Sequence, residues 1–378
     1  MEHEIREYDG LMELLEDLDR EGITGTRRTK AMKDFLFLRA RKRRIPYSGG
    51  FELTPLCNFN CKMCYVHLTK DQMNCEQQLL STETWIDIMR QAIDAGMMYA
   101  DLTGGECLTY PGFQEVYLYL LSRGIHVSIL TNGYLLTEDM IEFMMKYRPT
   151  TIQVSVYGSS REAYQRVTGQ DAFDTVMKNL ECLKRSGITA KVAIMPHRYM
   201  SEDVQGLLDL IHDLDMDYTI GDVNLPPREN TGRCLEDYVA DEELAVRLKL
   251  SDMRYRTEHG TLGTYIPPYY FSVKDAETEG GVPCASGRCS FHVNWKGDLT
   301  PCIPFDKVNK SVLSEGFVAA WNDIGKQMEA YRTPKECQLC DLRNKCAVCP
   351  GEKTFGILNG PLNTVVCRRL RRMLEAEQ

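Results

Sequence analysis

Six short runs punctuate the chain: "FELTPL" (51–56), "YADLT" (99–103), "HVSILT" (126–131), "TIQVSVY" (151–157), "AKVAIMP" (190–196) and "YTIGDVNL" (218–225). Each is apolar or β-branched over a strand's length. The stretches between them carry the helical period instead. In "STETWIDIMRQAIDAG", Trp85, Ile88, Met89, Ala92 and Ile93 fall on one helix face, with Gly96 as the stop. In "SEDVQGLLDLIHDL", Val204, Leu207, Leu208, Ile211 and Leu214 do the same behind Ser201 as N-cap. Alternating strand–helix units predict a parallel sheet with right-handed crossovers. Six units are two short of a closed (β/α)8 barrel, so the expected fold is α/β, a partial (β/α)6 TIM-like barrel.

The flanks break this rhythm. Residues 1–48 read as a charged helical segment, 49–235 as the partial barrel and 236–280 as a helical linker with a helix over 241–258. Residues 281–378 read as a loop-rich second domain. The Met pairs at 97–98 and 144–145 read as core, and Cys182 as a half-buried helix position. No run of eighteen apolar residues predicts a membrane span. The start, "MEHEIREYDG", has no export signal, so the expected location is cytoplasmic. A net charge of −9 weighs against nucleic acid as a partner. The basic stretch at 27–44 runs against that balance, as the solvated face of a helix or as a docking site for an acidic peptide.

Cysteine changes the picture most. The chain has 15, and in a reducing compartment they point to metal ligation or catalysis rather than disulfides. Three, Cys57, Cys61 and Cys64, fall within eight residues directly after the first strand, and eight more lie between 284 and 367. A cubane iron–sulfur cluster held by three thiolates keeps one iron open to a small molecule. "TGGEC" (103–107) follows the second strand, "TNGY" the third, and Ser155 and Tyr157 end the fourth. In barrels of this type those loops share one mouth.

Cys57, Cys61 and Cys64 in this setting resemble the signature of radical S-adenosylmethionine (SAM) enzymes. The resemblance implies a [4Fe–4S] cluster whose open iron chelates SAM and whose electron cleaves it to a 5′-deoxyadenosyl radical. Met63 or Tyr65 would contact adenine. Gly104, Gly105 and Glu106 resemble the Gly-Gly-Glu motif that holds the methionine amino group, although Cys107 stands where the family usually has proline. Glycines also let a backbone approach a ligand, and a carboxylate suits an ammonium. Ser155 and Arg166 resemble positions that touch the ribose and the methionine carboxylate, with Asn132 nearby. A zinc or purely structural trio is the competing reading of these cysteines.

The late cysteines, Cys284-x4-Cys289-x12-Cys302, then Cys337, Cys340, Cys346 and Cys349 as Cx2Cx5Cx2C, then Cys367, resemble the SPASM extension of radical SAM enzymes. The family often has one residue more before Cys349. The resemblance implies two auxiliary [4Fe–4S] clusters, one on Cys284, Cys289, Cys302 and Cys349, the other on Cys337, Cys340, Cys346 and Cys367. With the first, that makes three clusters, and neither auxiliary one would have an open iron. "CQLC…CAVC" alone also fits half a zinc ribbon.

Cys75, Cys107 and Cys234 lie in expected mouth loops, as candidate hydrogen-atom donors to a substrate radical or as bystanders. Arg228, Glu229 and Arg233 follow the sixth strand, to meet a substrate or form an ordinary polar loop; the 7 histidines show no ligand spacing. The SPASM resemblance implies maturation of a ribosomally made peptide: thioether or other crosslinking, or epimerisation. A sulfatase-maturing or cofactor-building enzyme is the alternative. The first usually has aspartate after the cysteine of Gly-x4-Cys, where this chain has Ile303 and, further on, Asp306. A non-catalytic iron–sulfur or zinc scaffold is the third reading. Only about forty-five residues precede the first strand, too few for a leader-binding winged helix. Leader recognition would fall to a separate protein or the basic stretch, and electrons to a flavodoxin- or ferredoxin-like donor.

Overall fold

The computed structural model describes residues 10–200, 204–221, 227, 242–258, 281–343, 346 and 348–376. Two helices, α1 (Leu11–Arg20) and α2 (Gly25–Arg43), lead into strand β1 (Ser48–Glu52). After it come α3 (Lys70–Glu76), α4 (Thr82–Asp94), β2 (Tyr99–Thr103), α5 (Phe113–Ser122), β3 (His126–Thr131), α6 (Glu138–Lys146) and β4 (Thr151–Ser155). The series closes with α7 (Arg161–Thr168), α8 (Phe173–Arg185), β5 (Ala190–Ile194), α9 (Val204–Leu214), β6 (Asp217–Ile220) and α10 (Glu242–Glu258). The six strands are parallel and neighbours in chain order, which is the expected open barrel. Beyond β1 the sheet continues as β7 (Ser290–Val293), parallel to it, then antiparallel β8 (Asp298–Thr300) and β9 (Lys310–Ser311). The cysteine-rich segment is therefore joined to the barrel through a shared sheet.

Period-two alternation sorts the strand residues between two faces. Phe51, Leu102, Val127, Ile129, Ile152, Val154, Val192 and Ile194 are buried in one core with Trp85, Ile88, Val116 and Leu120 of the helices. The crossover helices α4 to α9 bury their apolar sides in this core, while α1, α2 and α3 pack in smaller clusters of their own. The opposite face is polar: Glu52, Asp101, Ser128, Gln153, Ser155 and Lys191. The helix patterns hold, with Trp85, Ile88, Met89 and Ala92 buried on α4 and Ser81 capping it by accepting from Thr84 N at 3.2 Å. Each Met pair splits: Met97 and Met144 are buried while Met98 and Met145 are exposed, because adjacent residues diverge in direction. Ser201 lies outside the described residues.

The first strand is the main correction. It begins three residues earlier than "FELTPL" suggests and ends at Glu52. Thr54, Pro55 and Leu56 instead turn their carbonyls to other partners: Gly105 N (2.6 Å), Leu68 N (3.1 Å) and Glu106 N (2.9 Å). The fourth, fifth and sixth strands end at Ser155, Ile194 and Ile220, earlier than their apolar runs. An apolar run continues past a strand's end because the loop that leaves the sheet is itself packed against the core.

Candidate functional site

The chain leaves β1 through "TPL" and enters the thiol loop. Backbone bonds clamp that loop to the end of α7: Asn60 N to Thr168 O at 3.1 Å and Lys62 N to Val167 O at 2.9 Å. Phe59, between the first two cysteines, is buried in an aromatic nest, edge-on to Tyr134, Tyr157 and Tyr164. This anchors the loop while leaving Cys57 and Cys64 half-buried and Cys61 buried. Phe59 N donates to Cys57 Sγ and His67 N to Cys64 Sγ, both at 3.3 Å. Asn132 at the end of β3 donates from Nδ2 to Asn58 Oδ1 at 2.8 Å and to Cys57 Sγ at 3.6 Å. Backbone and amide donors of this kind suit a thiolate. Burial pushes the free Cys57 thiol up to about 12, and the Phe59 N–H opposes that shift. A positive metal centre supplies what is needed to deprotonate it.

Gly104 and Gly105 have a different immediate duty from ligand approach. A Cβ on Gly104 would lie 2.6 Å from Thr54 O, and one on Gly105 would overlap the Leu56 carbonyl. The glycines let the end of β2 lie against the segment that leads to the cysteines. Glu106 is fully buried and tied locally. Its carboxylate accepts from Asn132 N (2.7 Å), Thr131 Oγ1 (2.8 Å) and Leu108 N (3.1 Å). Burial raises its pKa above the usual carboxylate range and these donors oppose the rise. Glu106 thus cross-links the ends of β2 and β3 beside the thiol loop.

Ser155 ends β4, and its side chain bonds to Tyr157, which is half-buried near Cys61 and Cys57. Met63 and Tyr65 are half-buried in the thiol loop, and Arg166 is exposed on α7. Two of the three candidate hydrogen donors sit differently from the expectation of mouth loops. Cys75 is exposed but on a helix, α3, because Thr69 and Gln72 form a reciprocal N-terminal cap. Cys107 is fully buried in the core, its thiol donating to Leu130 O at 3.3 Å, because the turn after Glu106 rolls it inward. Cys234, Arg228, Glu229 and Arg233 lie outside the described residues.

The late cysteines fall into two neighbourhoods. Burial pushes the Cys284, Cys289, Cys302 and Cys349 thiols up; Cys284 is close enough to Cys289 and Cys302 to add to the rise, as Cys302 and Cys284 are for Cys349, and the Ser286 hydroxyl bonds to both Cys284 and Cys302. Burial pushes Cys337 and Cys367 up as well, and Cys340 and Cys346 lie close enough to both to add to the rise, as Cys367 does for Cys337. Tyr331, 1% exposed, feels both groups: Cys337 and Cys346 from one, Cys284 and Cys349 from the other. Among the described residues no three His, Cys, Asp or Glu side chains are gathered around one point that a single ion would occupy. Four thiolates on four different irons need a wider set than four on one zinc.

Sequence reasoning passed over several residues near the mouth. His292 Nε2 lies 3.8 Å from Glu52 Oε2, both buried where β7 meets β1. Asp101 is half-buried on the same polar face, its pKa raised by the loss of solvent and lowered by the Ser128 hydroxyl, Lys191 and His292. Polar residues alternating with apolar ones inside each strand were the available signal. His197 follows β5, is 1% exposed, and neither ring nitrogen has a hydrogen-bond partner. Burial pushes it down to about 4. In the unfolded chain it titrates near pH 6.5. Between those values the unfolded chain binds the proton and the native state does not. Stability from this group is therefore full above about pH 6.5 and lost as pH falls to about 4, by about 3 kcal/mol. Urea unfolding of the metal-free protein across this range is expected to show that loss, and His197→Leu to flatten it. An unchanged slope in the variant would remove His197 as the cause.

Residues 51–211 match the family model described as the radical SAM superfamily. The chain is 23% identical over 308 residues to the antilisterial bacteriocin subtilosin biosynthesis protein AlbA of Bacillus subtilis, across 80% of this chain and 65% of that protein. It thus spans less than two thirds of that relative's length. It is 25% identical over 314 residues to a PqqA peptide cyclase of Granulibacter bethesdensis, across 77% of this chain and 79% of the relative. Among solved structures it is similar to Streptococcus suis SuiB bound to precursor peptide SuiA, with a TM-score of 0.66 and 17% identity, across 93% of this chain and 86% of that one. That likeness speaks to the fold. No described helix is long and apolar enough to cross a membrane.

Proposed function

We propose that this chain, whose residues 51–211 match the radical SAM superfamily model, is a radical SAM peptide maturase that crosslinks or epimerises a ribosomally made precursor. The observation that carries this reading is the union of two thiol systems in one sheet. The open trio follows β1, and the eight-thiol segment is built on β7 beside it. One relative is named as a peptide cyclase and another as a bacteriocin biosynthesis protein, which supports a peptide as the substrate class.

The trio fits an iron–sulfur cluster by its donor chemistry. Asn58 Nδ2 and Tyr164 Oη are buried there without a partner. Cys57, Cys61 and Cys64 would hold the cluster, leaving one iron for SAM. Bound together, the two supply a 5′-deoxyadenosyl radical that takes a hydrogen atom from substrate. The chain's own residues set the stage for this. The clamp to α7 holds the thiol loop, Asn132 orients Cys57, and Glu106 ties the β2 and β3 ends into one rim. The polar inner face, with Glu52, Asp101 and His292, gives a peptide backbone hydrogen-bonding partners. Cys284, Cys289, Cys302 and Cys349 would hold one auxiliary cluster and Cys337, Cys340, Cys346 and Cys367 the other. Fully ligated clusters suit electron transfer, so they would accept the electron that an oxidative crosslink releases. Thiolate-held clusters also suit the cytoplasm, where a flavodoxin- or ferredoxin-like protein would deliver electrons. Whether a separate protein presents the peptide leader belongs to the same proposal.

The test uses anaerobically reconstituted protein with SAM, dithionite and short peptides encoded beside its gene. The expected product is a peptide that has lost two hydrogen atoms, or one that gains deuterium from deuterated water without net oxidation. 5′-Deoxyadenosine formed with every such peptide left unchanged, while a non-peptide substrate turns over, would overturn the reading.

A further inference from the structure

The N-terminal helices were unexplained by any motif. The structure gives α2 a place. Phe37 and Ala40 of α2 pack on Ala285 and Cys289. The Cys289 carbonyl accepts from Tyr47 N (2.8 Å) and Ser48 N (3.0 Å), where α2 leads into β1. Trp321 Nε1 donates to Arg44 O at 2.9 Å, and Arg44 is ion-paired with Glu329. On this stapled face Arg41 is 5% exposed, in a helix whose neighbours Lys42 and Arg43 are in solvent. It directly follows Ala40, which packs in one cluster with Cys289, and from there its charge bears on the Cys284 and Cys289 thiols. The second thiol group shows the same feature. Lys353 is 2% exposed, its carbonyl accepts from Asn363 N at 2.7 Å, and the Asn363 carbonyl accepts from the Cys367 thiol at 3.8 Å, so its charge bears on Cys337 and Cys367.

Burying a long cationic side chain is costly unless negative charge shares its surroundings. A cubane in its oxidised state with four thiolates is a dianion, and one-electron reduction makes it a trianion. In a low-dielectric interior a fixed cation favours the more negative state. We propose that Arg41 and Lys353, the buried cations beside the two thiol groups, are the main counter-charges of the two auxiliary clusters, so that α2 is part of a redox centre. Arg288, half-buried, and Arg368, exposed, act on the same thiols from wetter positions. Arg41 would serve the cluster of Cys284, Cys289, Cys302 and Cys349, and Lys353 that of Cys337, Cys340, Cys346 and Cys367. The inference rests on the proposal that these clusters exist. It makes the buried part of the basic stretch an electrostatic element rather than a docking surface.

The experiment uses full-length chain carrying Cys57/Cys61/Cys64→Ala, so that only auxiliary iron remains. Iron is counted, and the two cluster signals are titrated with dithionite by electron paramagnetic resonance. Arg41→Met is expected to keep the iron and to lower the reduction equilibrium constant of one cluster at least tenfold, a shift of about 59 mV for one electron. Lys353→Met is expected to move the other signal by a similar factor and leave the first alone. Arg41→Lys and Lys353→Arg keep the charge and are expected to restore the potentials. Full iron with unmoved potentials in both methionine variants would overturn the inference. So would loss of one cluster's iron in a methionine variant that the charge-keeping variant does not rescue, because that marks packing rather than charge. Little or no iron in the parent chain would instead overturn the auxiliary clusters themselves.

Discussion

Replacing Cys57, Cys61 and Cys64 together by alanine is expected to abolish 5′-deoxyadenosine formation while leaving most of the iron in place. Three cubanes predict about twelve irons per chain, falling to about eight in the variant. The loss of activity is complete rather than partial because no other described thiol is built into the loop after β1. The remaining iron is expected to survive because the late cysteines are held by elements of their own. Cys289 sits under α2, and Cys367 lies on the helix Thr364–Ala376, which is tied to Glu352 by the buried Arg369 at 2.9 Å. Iron and sulfide analysis of anaerobically reconstituted protein, beside the 5′-deoxyadenosine assay, checks both halves. A parent chain with about four irons, falling to none, would leave the late cysteines to zinc or to structure alone.

Gly105→Ala is expected to be the most damaging single methyl addition at the mouth. The added carbon meets backbone, the Leu56 and Pro55 carbonyls, not a side chain that can swing away. Relief requires parting the end of β2 from the segment that enters the thiol loop. That breaks the Gly105 N–Thr54 O and Glu106 N–Leu56 O hydrogen bonds. Overpacking of this kind, with two buried bonds lost, costs about 3 kcal/mol or more. The same shift displaces Cys57 relative to Glu106 and Asn132, so SAM cleavage is expected to fall by at least about a hundredfold, as a misplacement near 1 Å does. Urea unfolding of the metal-free variant and the 5′-deoxyadenosine assay measure the two effects. Gly10→Ala, where nothing lies within 4 Å, is the control. A Gly105→Ala protein as stable and active as the parent would mean that the rim is pliable and the glycines serve only the ligand.

Much of the barrel was legible in the chain. Period-two runs at β2 and β3 located those strands to the residue, and the helical period of α4 named its buried face, because local backbone geometry decides where alternate side chains point. The grouping of the cysteines was also readable, since the trio at 57–64 and the run at 337–349 lie at short spacing along the chain. Other features were not legible. "FELTPL" looks like a strand, yet Thr54–Leu56 leaves the sheet, because the partners that draw it away, Gly105 and Glu106, are fifty residues distant. Cys107 looked like a mouth residue and is core. Tyr331, between the two late thiol groups, lies in no motif.

The sequence by itself determined the alternation of strands and helices, the site's end of the barrel and the kinds of ligand the chain offers. These depend on residue type and on neighbours a few positions away. Only the tertiary structure decided that Gly104 and Gly105 pack against the thiol-loop entrance, that β7 extends the barrel sheet, and that Arg41 from a basic helix reaches Cys284 and Cys289. Each of those is a contact between segments tens to hundreds of residues apart. Its energy comes from burial and from charge in a low-dielectric interior, and neither exists until the chain has closed around it.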